Sequence, residues 1–283
     1  MYQDKLTSAG PARRWVLGLA AVLLLAVGLG SIVADVQAAG PAVVRIGATP
    51  VPHAEVLEFI KPLLAQEGIE LRIIEFTDYV RPNLALADGE LEANYFQHIP
   101  YLETFSRDHR LDLTYIARVH IEPMGLYSQK VRSVEALRQG AVVAIPNDPT
   151  NAGRALQLLQ QAGLVELKPG LGLSATVLDI VRNPKGLVIR ELEAAQLPRV
   201  LPDVDAAVIN GNYALEAGLR PISDAIVLED VQQPYVSPLA NVLAVRSRDK
   251  DNPVLKKVAE VLTSEAVRQF LLDRYKGAVL PAF

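Results

Sequence analysis

Short apolar runs alternate with longer segments in which apolar residues return every three or four positions, and the alternation holds from Val43 to the end of the chain. A short apolar run bounded by Gly, Pro, Asn or Asp predicts a buried strand, and the three-to-four spacing predicts an amphipathic helix. Strands are expected at 43–48, 71–76, 91–95, 113–119, 124–128, 141–145, 187–191, 206–209, 226–228 and 242–245. Helices are expected at 53–66, 100–108, 155–161, 213–217 and 253–273. Elements taken in turn in this way build an α/β fold, with mixed sheets flanked by helices.

Two segments interrupt the alternation. One is His120-Ile121-Glu122-Pro123, the other the loop at 232–239 with Pro234 and Pro238. A chain that crosses between layers at both places forms one lobe from 41–120 plus 240–283 and a second lobe from 124–231, hinged near 120–123 and 232–239 around a cleft.

The N-terminal segment changes the picture. Residues 15–34 carry no charge and follow Lys5, Arg13 and Arg14, the arrangement of a targeting segment. The run is long enough to span a bilayer, but Val36-Gln37-Ala38 before Ala39 offers the small residues that signal peptidase reads. Residues 1–38 are therefore expected to be a signal segment cleaved after Ala38, with a retained membrane anchor as the alternative. The expected location is exported, in the periplasm or at the outer face of the cytoplasmic membrane. Loss of Lys5, Arg13 and Arg14 with Asp4 and Asp35 takes the balance from 28 basic and 32 acidic residues to 25 and 30. An acidic chain with no basic cluster argues against nucleic acid. The sequence has no cysteine, which excludes disulfides, thiol chemistry and a lipid-bearing lipoprotein cysteine.

The densest chemistry lies in PNDPTNAGR at 146–154. Asp148 before Pro149 is a helix start: Asp accepts free amide hydrogens as N-cap, and Pro at the first helical position has no hydrogen to lose. Asn151 and Arg154, three apart, share a helix face. The helix N-terminus carries about half a positive charge, and the guanidinium fork matches a carboxylate. The pattern suits one bound anion, and it equally suits an ion pair between Arg154 and a protein carboxylate.

A second helix start, Ile99-Pro100-Tyr101, follows the strand in ELEANYFQH and places Phe96, His98 and Tyr101 near one another. Tyr79 follows another predicted strand. Ligands of open α/β sheets sit beyond the carboxyl ends of strands, and sulfur gains about 0.3–1.5 kcal/mol against an aromatic ring. Such rings also pack cores. Asn210 ends the strand at 206–209 and Asn241 precedes the strand at 242–245, where each amide either accepts from an ammonium group or caps a turn.

The motifs TPVPHAEVLE (49–58), FQHIPYL (96–102), HIEPMGLYS (120–128), PNDPTNAGR, TVLDIVRNPKGL (176–187) and ELEAAQLPR (191–199) follow in order. From about Arg45 to the C-terminus the chain resembles the NlpA lipoprotein family, the methionine-binding proteins of ABC importers. The resemblance implies a two-lobed type II periplasmic-binding-protein fold that closes over free methionine in the interlobe cleft. It implies Arg154 on the ligand carboxylate with Asn151 beside it, and Asn210 and Asn241 at the ammonium. It implies Tyr79, Phe96, His98, Tyr101 and His120 around the thioether, where a neutral imidazole packs flat or donates to sulfur. The partners it implies are L-methionine, with D-methionine or an analogue left open, and an ABC permease with its ATPase. The binding protein itself is expected to be a monomer without a cofactor. Two features depart from the family pattern: Leu239 in SPLANVLAV stands where relatives tend to have tyrosine, and the lipid-modified cysteine is missing.

No G-x-S-x-G elbow, HExxH or Walker A pattern occurs, so no catalytic residue is assigned. A zinc-binding importer subunit is the nearer rival, with His98 and His120 meeting in the cleft, but zinc sites want three or four ligands and no metal ligand is assigned. Another small apolar amino acid or a short peptide are the remaining alternative ligands, and a membrane-tethered signalling ectodomain is a third class.

Overall fold

A computed structural model describes residues 40–283 except Pro234; the signal segment expected at 1–38, and Pro234 of the second crossing, lie outside the described residues. The strands in chain order are β1 (Ala42–Ala48), β2 (Ile69–Glu75), β3 (Ala93–His98), β4 (Leu113–Ile121), β5 (Gly125–Tyr127), β6 (Val142–Pro146), β7 (Glu166–Leu167), β8 (Ile180–Arg182), β9 (Val188–Leu192), β10 (Ala206–Ile209), β11 (Val227–Leu228), β12 (Asn241–Arg246) and β13 (Leu280–Pro281). The α-helices are α1 (Glu55–Gln66), α2 (Arg81–Asp88), α3 (Ile99–His109), α4 (Pro149–Gln161), α5 (Leu197–Val200), α6 (Gly211–Glu216), α7 (Pro221–Asp224), α8 (Pro253–Leu262) and α9 (Glu265–Tyr275).

Two mixed sheets result. The first has the order β13-β4-β12-β3-β1-β2 and the second β11-β5-β10-β6-β9, with β7 and β8 forming a separate ribbon. In the first sheet β1 runs parallel to β2 and β3, while β12 is antiparallel to β3 and β4. In the second, β6 runs parallel to β9 and β10, and β5 is antiparallel to β10. The chain passes from the first sheet to the second between β4 and β5 and returns between β11 and β12. Each sheet has its own apolar cluster: Ile46, Leu57, Ile60, Leu243 and Val258 under the first, Val143, Ile145, Leu156 and Val208 under the second. Residues 41–283 nonetheless hold together as one compact unit.

Local chemistry explains where the elements differ from expectation. The helix expected at 253–273 is two helices, because Thr263 leaves the helical region (φ −109°, ψ 24°) and Ser264 opens α9 in an extended conformation. The Thr263 hydroxyl donates to the Ala259 carbonyl at 2.8 Å, the local competition that favours hydroxyl residues at helix ends. The helix expected from His53 begins with an irregular turn at Pro50–Ala54, where Val51 is extended, and becomes regular at Glu55. Strand β3 runs to His98, past the expected end at Tyr95, and all six residues are buried. It tolerates Asn94 and Gln97 inside because Asn83 of α2 shares hydrogen bonds with both at 2.6–2.8 Å. Helix α2 was outside the expected set; it ends at Gly89, whose φ of 83° is one that L side chains rarely adopt.

Candidate functional site

The helix start at PNDPTNAGR forms as its residues dictate. The Asp148 carboxylate accepts from the Asn151 backbone N–H and from the Thr150 hydroxyl at 3.0 and 3.1 Å, and the Asn151 side-chain amide donates to both of its oxygens at 3.0 Å. This fixes Asn151 with its oxygen outward, where it accepts from Asn210 Nδ2 at 2.8 Å and from His98 Nε2 at 3.1 Å. His98 is itself the N-cap of α3, its Nδ1 accepting from the Tyr101 N–H at 3.1 Å. That acceptor role leaves the proton on Nε2, so the ring is neutral. Burial, with the Arg154 charge nearby, pushes its pKa down to about 3.

Arg154 is buried and already paired. Its Nε and Nη2 donate to Glu229 at 2.9 and 2.5 Å, and Nη2 also donates to the Glu122 carbonyl at 2.6 Å. Burial opposes the guanidinium charge, yet the Glu229 carboxylate leaves its pKa raised. Both readings of this arginine therefore coexist: it has a protein carboxylate behind it, and it lines a cavity with Nη1 making no hydrogen bond among the described residues.

That cavity lies between the two sheets and is lined by Tyr79, Phe96, His98, Tyr101, Asn151, Arg154, Asn210 and Asn241, joined by Gln97, Glu122, Gly211 and Asn212. The rings form one wall: Tyr79 stands 5.9 Å from Phe96 and 5.7 Å from Tyr101 between centroids. Tyr79 is held by donating to Asn212 Oδ1 at 2.5 Å and by accepting at its carbonyl from the Tyr101 hydroxyl at 2.9 Å. Asn210 occupies the N-cap position of α6, but its side chain does not cap the helix. Its Oδ1 and the Nδ2 of Asn212 are buried polar atoms without a partner. Such atoms are costly unless something pairs with them. Asn241 Oδ1, by contrast, faces His53 Nε2 at 3.1 Å.

His120 does not line the cavity. It is fully buried, with Nδ1 accepting from the Tyr95 hydroxyl and Nε2 donating to Glu122 Oε1 at 2.7 Å. The expectation that His120 helps to enclose the ligand is thus corrected; His98 does line the cavity, where its N–H is engaged by Asn151, which leaves flat packing rather than donation to sulfur as its contact. His120 lies outside the cavity that His98 lines, and among the described residues the two share no cluster of candidate metal ligands. The described residues that come nearest to a metal-ligand set are His53, His120 and Glu122, whose ligand atoms fall within 4.8 Å of one another. Two ligands of a tetrahedral zinc with bonds of about 2.0 Å stand roughly 3.3 Å apart, wider than the 2.7 Å between His120 and Glu122, so a shared proton accounts for that contact. Burial pushes His53 to about 4 and His120 to about 3, and raises Glu122.

Glu122, Glu229, Asn212 and His53 were not among the expected site residues. Glu122 and His53 sit inside motifs that drew attention for other reasons, HIEPMGLYS and TPVPHAEVLE. Glu229 follows a short apolar run, and nothing local marks it. Gly211 belongs to the site through what it lacks: a Cβ there would lie 2.7 Å from Glu122 Cβ and 3.3 Å from the Pro123 carbonyl, so only glycine lets α6 approach the first crossing this closely.

A family model described as NlpA lipoprotein matches residues 44–283. The chain belongs to the NlpA lipoprotein family. The D-methionine-binding lipoprotein MetQ of Escherichia coli strain K12 is 43% identical over 215 residues, 75% of this chain and 78% of that protein. Among solved structures, a nutrient binding protein from Burkholderia cenocepacia bound to methionine matches with a TM-score of 0.81 and 46% identity, covering 85% of this chain and 100% of that one. An ABC transporter periplasmic substrate-binding protein from Coxiella burnetii matches with a TM-score of 0.79 and 43% identity over 84% of this chain and 100% of that one. The fold is that of the periplasmic substrate-binding proteins. The family carries a lipoprotein name, whereas this sequence holds no cysteine to bear a lipid, so its means of attachment does not follow from the name. Among the described residues, no helix is long and apolar enough to cross a membrane.

Proposed function

We propose that this chain is the substrate-binding subunit of an ABC importer, which captures methionine in the cavity between the two sheets and presents it to a membrane permease. The observation that carries the reading is one ring-walled cavity lined by the Arg154 guanidinium and by the buried, unpartnered Asn210 Oδ1. A carboxylate satisfies the first and an ammonium the second, while Tyr79, Phe96 and Tyr101 offer rings to a thioether. Asn151 orients both ends, because its amide ties α4 to His98 and Asn210.

Capture works by closure. The open form takes the zwitterion on one lobe, 41–120 plus 240–283 or 124–231, and hinge motion near 120–123 and 232–239 brings the second lobe onto it. The ligand favours the closed form because only there do both lobes touch it. The protein performs no chemistry on its cargo; a separate ATPase drives the permease. The chain works outside the cytoplasmic membrane as a monomer, delivered there by residues 1–38.

Calorimetry on protein freed of co-purified ligand tests this. Methionine should bind tightly and with 1:1 stoichiometry, norleucine more weakly for want of the sulfur, and zinc not at all. Tight zinc binding with no response to either enantiomer of methionine refutes the reading.

A further inference from the structure

Arg154 and Glu122 are the charged residues among those that line the cavity, and their surroundings differ. Glu229 balances Arg154 from behind with two hydrogen bonds. Among the described residues no lysine or arginine forms an ion pair with Glu122; the Arg154 charge, held by Glu229, reaches it only at longer range. Glu122 Oε1 accepts from neutral His120 Nε2 at 2.7 Å and stands 3.3 Å from His53 Nε2, whose hydrogen bond goes to Asn241 Oδ1. The Tyr95 hydroxyl occupies the second nitrogen of His120, and the Thr49 hydroxyl lies 2.7 Å from the second nitrogen of His53. The Asn212 backbone N–H adds a further donor to the carboxylate. Three neutral groups thus surround this side chain, and none of them is a paired cation. The side chain is 6% exposed and borders the same space as the unpartnered Asn210 Oδ1 and Asn241.

We infer that Glu122 is the counter-charge for the ligand's ammonium group, so that the cavity selects amino acids with a free, protonated α-amine. The inference rests on the amino-acid reading above and adds what the amide oxygens alone do not supply. Asn210 Oδ1 is a neutral acceptor, and Asn241 Oδ1 is shared with His53. A buried carboxylate that lacks a paired cation gains far more from an ammonium than a neutral amide does. The cavity then reads as a matched dipole, with Arg154 as a pre-neutralised donor at one pole and Glu122 as an unneutralised acceptor at the other. An N-acylated amino acid, or a carboxylic acid without the amine, leaves Glu122 unpaired and is rejected by that penalty.

The test compares methionine with its des-amino analogue, γ-methylsulfanylbutyrate, by calorimetry on the full chain and on Glu122→Gln and Glu122→Asp. Glu122→Gln should weaken methionine binding by about thirtyfold or more, the usual cost of removing one partner of a buried charge pair, and leave the analogue within about threefold. Glu122→Asp, which keeps the charge, should recover part of the preference. Binding of the analogue also reports that the variant site is folded. Equal losses for both ligands in Glu122→Gln would overturn the inference, because a purely structural role weakens every ligand alike. So would wild-type protein that binds the analogue as tightly as methionine. Wild-type protein that takes neither ligand refutes the amino-acid reading itself, a different failure from either of these.

Discussion

The two sides of the cavity solve opposite problems. From the first sheet and its flanking segments come Tyr79, Phe96, His98 and Tyr101, rings that hold no charge; from the second come Asn151, Arg154, Asn210 and Asn212, polar groups set at helix starts. The ring side must keep imidazoles neutral in the dark interior, and it does so by giving each one a donor and an acceptor within the protein. The polar side must bury a guanidinium, and it does so by placing Glu229 behind it. Neither side alone matches a zwitterion with an apolar tail, which is why the useful surface exists only where the two meet.

The strongest way to stress this contrast is acid, which attacks the ring side. His53, His98 and His120 have folded pKa values of about 4, 3 and 3, below the ordinary value of about 6.5. As pH falls through 6.5 the unfolded chain takes up protons that the folded chain refuses, so stability is lost from there down to about pH 4 and regained on return to neutrality. Each imidazole contributes about 1.4 kcal/mol per pH unit in that window. Glu122 works the other way, because its raised pKa lets the folded state take a proton first. Denaturant titrations at pH 7, 5.5 and 4.5 read the sum, expected to be a net loss of up to roughly 3 kcal/mol per pH unit. A flat profile would mean that the rings are not buried neutral, and the contrast between the two sides would fail.

Removing the guanidinium attacks the other side. Arg154→Ala should cost about 3 kcal/mol or more in methionine affinity, and about 3–5 kcal/mol in stability as Glu229 is left buried without its cation. The two effects separate in the double variant Arg154→Met with Glu229→Met, which should regain most of the stability and none of the affinity. Calorimetry with thermal unfolding on both proteins checks this. Normal methionine affinity in either would remove Arg154 from the site.

What the chain alone made legible follows the range of each interaction. Apolar alternation located the sheets because it is a local pattern, and the helix start at Asp148 was readable because its bonds reach only to Thr150 and Asn151. The break at Thr263-Ser264 was local as well but weak against a long amphipathic stretch. Partnerships across the fold left no such trace: Glu229 meets Arg154 from 75 residues away, and Asn241 meets His53 from 188. His120 was placed on the cavity by family likeness, yet the short bonds to Tyr95 and Glu122 draw it behind the wall. Residues expected on chemical grounds fall around one cavity, while those that bias their charges became visible only with the chain folded.

The smallest expected effect separates the two asparagines, which looked alike in the sequence. Asn210 Oδ1 is buried and unpartnered, whereas Asn241 Oδ1 already faces His53. A hydrogen bond from a charged donor contributes about 1.5–3 kcal/mol, so Asn210→Ala should lose about 2 kcal/mol of methionine affinity, the larger share of the amide contribution. Asn241→Ala removes a shared acceptor and should lose about 1 kcal/mol or less. The ranking, read by calorimetry under one buffer, matters more than either value. A reversed order would mean that the ammonium lies toward His53, and the polar side of the cavity would then reach across to the first sheet.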